Sequence, residues 1–239
     1  MSRRLSPSLP HEIAGIAVPQ DRVSRETWSW ADRGLPAWLR AHSIRSFFWG
    51  AAIAARERLS FDPPILWTAS LMHDVGLTTL RRNTMCFEVE GAERARRFAG
   101  RHGMSDEAAE RIAIAIILHM RAGVTLADGA ESVLLDRATA IDVRGAEFEL
   151  IDDVRPAVTA AFPRGAFDER FLAAIRREVA VRGDCQSDRL LNSVGLADWM
   201  ARSPWVGRSP AGSSRSARTT PRSSGLRRKR VKDAEIKSR

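Results

Sequence analysis

A histidine and an aspartate stand side by side at the end of an apolar helical run, and this pair constrains the fold of the 239-residue chain most. The run begins near Ile65, leads into His73 and Asp74, and is expected to stop at Gly76. An imidazole and a carboxylate buried together are costly unless both are paired, because a desolvated charge needs a partner. A divalent cation would pair with both, so further ligands are expected on neighbouring helices.

Apolar residues recur at three- and four-residue spacings through most of the chain, and no stretch alternates apolar and polar residues as a half-buried strand would. With 44% hydrophobic residues the chain can fill one sizeable core. The spacing predicts helices over residues 36–59, 63–73, 87–101, 105–118, 131–142, 152–162, 167–182 and 190–201. The expected fold class is therefore all-α.

Composition divides the chain into three parts. Residues 1–23 are polar and without period, which predicts a flexible arm; residues 24–202 form the helical domain; residues 203–239 read as a disordered basic tail. The whole formal charge of +9 falls in residues 208–239, so the charge of the body does not indicate a nucleic-acid partner. Three interpretations of the tail are open: a solvated extension, a segment that binds phosphates without sequence preference, or the product of an altered reading frame at the 3′ end.

Cys86 and Cys185 are the only cysteines and do not form a C-x-x-C motif, so we expect free thiols in a reducing compartment and take the cytoplasm as the location. No apolar run approaches the roughly 18 residues of a membrane span. The apolar stretch 13–18 is short and interrupted by Gly15, so we also reject a signal peptide.

Ligand-type residues also occur on other predicted core helices. His42 points the way the apolar stripe of its helix points, and Asp142 lies on the apolar side of the helix that begins near Glu131. A lone His42 would more simply be a satisfied core histidine. With His73 and Asp74, however, two imidazoles and two carboxylates make an N2O2 set for one divalent metal, which could be Zn, Mn, Fe, Co or Ni.

The pattern His42, His73-Asp74 and Asp142 on an all-α core resembles the HD-domain superfamily of metal-dependent phosphohydrolases over about residues 35–150. The resemblance implies an HD-domain-like helical bundle in which these four residues hold the metal. Shorter stretches are similar to a bacterial subgroup that resembles cyanamide hydratase, namely residues 42–50, 73–77, 87–92, 117–119, 141–143 and 192–194. The chain departs from that pattern at Ala41, where a second histidine is common, and at Met120, where a small polar residue is common.

Further roles follow from the resemblance and from position. The resemblance places Asp74 near the nucleophilic water, so Asp74 is predicted to be both a ligand and a proton acceptor. His119 is the best remaining acid or base, or else a helix-end histidine; as the one extra histidine available, it favours a single metal. Arg45, one turn beyond His42, is predicted either to hold a substrate phosphate or to pair with an acidic residue. Glu88 is a second substrate-binding candidate or a helix-start carboxylate.

Three functions remain open at this point. The first is a metal-dependent enzyme that hydrates a small nitrile, as cyanamide hydratase forms urea. The second is a phosphohydrolase that cleaves a phosphate monoester or a nucleotide. The third is a non-catalytic, metal-stabilised domain tethered by its tail. A phosphatase needs several cations around the metal, whereas a nitrile hydratase needs a small, mostly apolar pocket.

The residues that we expect to line the metal site favour one of these two kinds of pocket. It is rich in Trp, Phe, Met and Ile, with few cations beyond Arg45, Arg81 and Arg82, and this favours the small, weakly charged substrate. The expected partners are a small molecule and, if some tryptophans are exposed, a second copy in a homodimer.

Overall fold

The computed structural model describes residues 8–79 and 85–206. The helices are α1 (Arg22–Gly34), α2 (Ala37–Glu57), α3 (Pro63–Met72), α4 (Phe87–Arg101), α5 (Asp106–Leu118), α6 (Ala130–Arg144), α7 (Arg155–Ala161), α8 (Phe167–Arg182), α9 (Gln186–Asp188) and α10 (Leu196–Ala201). Short 3-10 turns cover Val75–Thr78, Leu126–Asp128 and Phe148–Ile151, and a π-helical turn covers Arg189–Ser193. Arg81, Arg82 and the tail from residue 207 onward lie outside the described residues.

Helices α2 and α3 form the centre of the bundle, and the all-α prediction is confirmed. Helix α2 packs on α3 and α6, α3 packs on α5, and α4 lies along α5. The prolines at the start of α3 follow the N-cap Asp62, whose side chain accepts a hydrogen bond from the backbone N–H of Ile65. Trp28 is buried and stacks on Trp67 with ring centroids 6.3 Å apart, so these tryptophans pack between helices.

Both ends of the helical body extend further than composition predicts. Within the predicted N-terminal arm, the strands β1 (Glu12–Ile13) and β2 (Ile16–Ala17) pair antiparallel, and α1 begins before residue 24. At the other end, the predicted tail begins with residues that still pack on the body. The indole of Trp205 donates a hydrogen bond to the carbonyl of Ile141 over 2.8 Å. Turns and contacts with residues distant in sequence hold these segments, and the hydrophobic periodicity of a sequence does not indicate such features.

Gly76 allows the α4 backbone to pass close to the turn after α3, and it does not itself end helix α3. Helix α3 ends at Met72, and Gly76 lies within the following 3-10 turn. A Cβ atom on Gly76 would lie 2.2 Å from the carbonyl oxygen of Phe87, at the start of α4. The turn that follows His73 and Asp74 therefore packs directly against the α4 backbone.

We expect Gly76→Ala to lower the free energy of unfolding by about 1–3 kcal/mol, because a backbone clash must be relieved by moving α4 or the turn. Urea denaturation measures the change. The matched control is Gly100→Ala in α4, where a Cβ meets nothing within 4 Å and should be neutral or stabilising by about 0.5–1 kcal/mol. Equal stabilities of the two variants would contradict this close approach.

The two cysteines form a disulfide, so the prediction of free thiols is wrong. Cys86 and Cys185 are 99 residues apart in sequence, with Cα atoms 5.7 Å apart. The bond joins the residue before α4 to the residue before α9. The argument for a reducing compartment depended on unpaired cysteines and no longer holds.

Among the described residues, no helix combines the length and the apolar character that crossing a membrane requires.

Candidate metal centre

Three core helices bring their ligand-type side chains to one point. His42 comes from the first half of α2, His73 and Asp74 follow the last residue of α3, and His119 follows the last residue of α5. All four side chains are buried, and all four line a cavity of about 350 Å³. The predicted convergence of separate helices on a His-Asp pair is therefore present in the structure.

The three imidazoles all face this point with the same ring nitrogen. The Nδ1 atom of His73 lies 2.7 Å from the carbonyl oxygen of Ser70, and that of His119 lies beside the carbonyl oxygen of Ile116. The Nδ1 atom of His42 lies 2.7 Å from a carboxylate oxygen of Asp142. Each of these oxygens accepts a hydrogen bond, so each Nδ1 carries the proton. In the neutral rings every Nε2 then presents a lone pair.

These lone pairs are too close to be left without a cation. The Nε2 atoms of His42 and His73 are 3.1 Å apart, and two acceptors at that distance repel each other. The raised pKa of His42 also indicates that positive charge is favoured at this point. Burial lowers this pKa, but the hydrogen bonds and charges of Asp142 and Asp74 outweigh burial and raise it above its usual value.

Asp74 supplies the negative charge at the same point. Its Oδ2 lies 3.2 Å from Nε2 of His73 and 3.5 Å from Nε2 of His42, while its Oδ1 lies 3.6 Å from Nε2 of His119. Burial would raise the pKa of Asp74, but the three surrounding histidines hold it well below its usual range. Oδ2 is buried and has no hydrogen-bond partner among the described residues, so it is available to a cation.

His42, His73 and Asp74 each offer a ligand atom, and these atoms lie within 4.8 Å of one another. Two imidazole nitrogens and a carboxylate oxygen suit a divalent transition metal. The residues present thus fit the metal that the sequence predicts.

Asp142 does not belong to this group, although the sequence predicts it as the fourth ligand. It is fully buried, does not line the cavity, and lies behind His42. Burial would raise the pKa of Asp142, but the charges of Arg45 and Arg164 hold it well below its usual range. The sequence predicts the correct helix face for Asp142, but the carboxylate is bound by protein donors.

The two predicted substrate contacts also lie away from the cavity. Arg45 is fully buried and forms a bidentate ion pair with Asp142, which is the alternative that the sequence left open. Glu88 is buried in the first turn of α4, where its Oε2 has no hydrogen-bond partner among the described residues. Neither side chain lines the cavity, so neither is placed to touch a substrate there.

The cavity wall contains cations that the sequence analysis did not identify. Arg121, Arg144 and Arg189 line it together with Trp199, and the guanidinium of Arg144 lies over the Trp199 ring at 4.7 Å. For Arg121 the sequence does contain a signal, because it follows His119 by two residues. Arg189 and Trp199 reach the cavity only because α9 and α10 fold back over it, which no local pattern indicates.

The remainder of the wall is mixed. Asp136 is half-buried in it, and burial raises the pKa of its carboxyl group to about 6. Apolar side chains such as Phe171 and Leu196 complete the wall, and Met120, one of the departures from the subgroup pattern, is also part of it.

Comparison with protein families gives a match to this region. The family model described as HD domain covers residues 39–153, a span that includes His42, His73, Asp74 and His119. A search of the curated proteins finds no match. Nothing in these comparisons distinguishes the cyanamide hydratase-like subgroup. The matched span runs from α2 to just beyond the 3-10 turn Phe148–Ile151 and contains the His-Asp centre, so this part of the chain is similar to HD domains.

Proposed function

We propose that this protein is a metal-dependent hydrolase that cleaves phosphate monoesters with water activated at the His42–His73–Asp74 centre. The observation that carries the substrate class is the set of three arginines on the wall of the same cavity. Among the described residues, none of the three forms an ion pair within 4 Å. Guanidinium groups on the wall of a cavity that also contains metal-ligand side chains are suited to an anionic substrate.

The three arginines change the preference from a small, weakly charged substrate to an anionic one. A phosphatase needs several cations near the metal, and we propose Arg121, Arg144 and Arg189 on the cavity wall for this role. The cavity volume of about 350 Å³ lies in the range of sites for small organic ligands. The substrate we propose is therefore an organic phosphate whose carbon part lies against Phe171, Leu196 and Trp199.

The chain's own groups then have distinct tasks. A bound divalent metal would lower the pKa of water and polarise the phosphoryl oxygen. Asp74 stays ionised because its pKa is held low, so its carboxylate can accept a hydrogen bond from the attacking water and orient it. His119, whose Nε2 lies 3.6 Å from Oδ1 of Asp74, is the group that we propose to take up or return a proton. The arginines bind the phosphate group of the substrate through charged hydrogen bonds.

Hydration of a small nitrile remains a second candidate, because the apolar part of the wall would suit a weakly charged substrate. Both reactions use the same activated water, so the substrate specificity distinguishes them. We expect kcat/KM for some phosphate monoester to exceed that for cyanamide by at least about 100-fold in protein loaded with Mn, Co, Ni, Zn or Fe. Efficient conversion of cyanamide to urea, with no phosphate released from any ester, would overturn the proposal in favour of the hydratase.

Arg189→Gln should raise KM for the preferred phosphate ester by about 10- to 100-fold while kcat changes little, because one charged hydrogen bond to the bound substrate is lost. Steady-state kinetics measure both constants. Arg176→Gln removes an equal charge from an exposed position on α8 that does not line the cavity, and should leave KM unchanged. Equal effects of the two substitutions would indicate a general influence of charge and not a phosphate contact.

A further inference from the structure

We infer that Asp142 is a positioning residue that fixes the His42 ring for metal binding, and that the metal has three protein ligands, His42, His73 and Asp74. This inference rests on the proposed metal-dependent function. It assigns the fully buried Asp142 a role one layer behind the metal, in place of the ligand role that the sequence pattern indicates.

Protein donors occupy the acceptor positions of the Asp142 carboxylate. Oδ1 accepts hydrogen bonds from Nε of Arg45 and from the indole Nε1 of Trp49, each over 2.8 Å. Oδ2 accepts from Nη2 of Arg45 and from Nδ1 of His42, each over 2.7 Å. A carboxylate has about four such positions. Binding a metal through Asp142 would therefore require that one of these buried donors lose its partner.

Charge also opposes a metal at Asp142. The Arg45 guanidinium is anchored in place by the carbonyl oxygens of Phe162 and Pro163, at 3.2 and 3.3 Å. A second guanidinium, that of Arg164, lies 3.3 Å from Oδ2 of Asp142. Two fixed positive charges already face this single carboxylate, and a divalent cation beside it would be repelled by both.

The arrangement is well suited to orient His42. Its Nδ1–H donates to Asp142, and its ring stacks on Phe167 with centroids 4.6 Å apart. These two contacts fix both the tautomer and the plane of the ring, so Nε2 points to His73 and Asp74. Metal-binding histidines commonly donate their second ring N–H to a carboxylate in this way, and loss of that partner typically weakens metal binding by about 10- to 100-fold.

Three protein ligands have a consequence for the reaction. A metal held by three side chains keeps positions open for water and for a substrate oxygen, as in other catalytic centres. Asp74 and Asp136 both line the cavity, but among the described residues only Asp74 offers an oxygen within 4.8 Å of the ligand atoms of His42 and His73. Asp74 is therefore the carboxylate that can contact the attacking water.

The test is the visible absorption spectrum of the cobalt-loaded protein, because it reports the ligands directly and needs no substrate. The variants are Asp142→Asn and the double variant Asp142→Asn with Arg45→Met, which removes the buried positive charge that the first change leaves unpaired. Circular dichroism checks that both are folded. At saturating cobalt we expect the spectrum of each variant to match that of the wild type, with the dissociation constant raised by about 10- to 100-fold.

Two results would overturn the inference. One is a cobalt spectrum that changes in folded Asp142→Asn or in the double variant, since that would make Asp142 a ligand. The other is an unchanged dissociation constant in both variants, since that would leave Asp142 no positioning role. A wild-type protein that binds no cobalt, zinc or manganese would instead contradict the proposed function itself, so the two failures are distinguishable.

Discussion

Asp74→Asn should abolish tight metal binding and lower kcat/KM for phosphate esters by at least about 1,000-fold. The substitution keeps the shape of the side chain but removes its charge and turns one oxygen into an NH2 group. Oδ2 of Asp74 lies within 3.5 Å of the Nε2 atoms of His42 and His73, so the metal would lose the one anionic ligand in the group. Elemental analysis gives the metal content, and phosphate release gives kcat/KM.

The control for Asp74→Asn makes the same chemical change at an exposed place. Asp184 lies between α8 and α9 and does not line the cavity, so Asp184→Asn should retain both metal and activity. Added metal should also raise the melting temperature of the wild type and of Asp184→Asn, but not that of Asp74→Asn, because only a bound ligand stabilises the native state. An Asp74→Asn protein that retains about one metal per chain would contradict the assignment of this centre.

The sequence predicts the helices and the centre of the site because both depend on local spacing. In the helices of the bundle, apolar residues recur with the 3.6-residue period of an α-helix. Helix α4 begins and ends at the residues that this pattern predicts. His42, His73 and Asp74 are predictable because each is a polar residue on an apolar face or at the end of a buried helix. Helix α1 carried a local signal too, since Asp21 caps it by accepting from the N–H of Ser24.

The roles of Asp142 and Arg45 depend on contacts that spacing does not specify. Both residues lie on the predicted faces of their helices. The helix face alone does not distinguish a side chain that binds the metal from one that hydrogen-bonds to a metal ligand. The choice depends on where Arg45 and Trp49 of α2 meet Asp142 of α6, which is set by the packing of two helices about 100 residues apart in sequence. The cationic cavity wall is hidden from sequence analysis for the same reason, because Arg189 lies in the segment that folds back from Cys185.

Removal of that disulfide should be strongly destabilising. The bond closes a loop of about 100 residues, and loss of such a crosslink increases the entropy of the unfolded chain, which costs about 3–5 kcal/mol. For a chain of this size we expect the double variant Cys86→Ser with Cys185→Ser to melt about 10 °C below the oxidised wild type. Thermal unfolding followed by circular dichroism, with and without a dithiol reductant, measures the difference.

Because of its position, the disulfide should also affect substrate binding. A change in KM would distinguish this effect from a general loss of stability. Cys86 precedes α4, whose first residue Phe87 contacts His119, and Cys185 precedes the segment that carries Arg189 and Trp199 to the cavity. Without the bond only noncovalent contacts hold this wall, so KM should rise well below the melting temperature while the metal content stays unchanged. The reductant should bring the wild type to the values of the double variant and leave the double variant itself unaffected. If the reductant changes neither melting temperature nor KM, or if thiol titration of the denatured, unreduced wild type finds two free cysteines, the bond does not join these two segments.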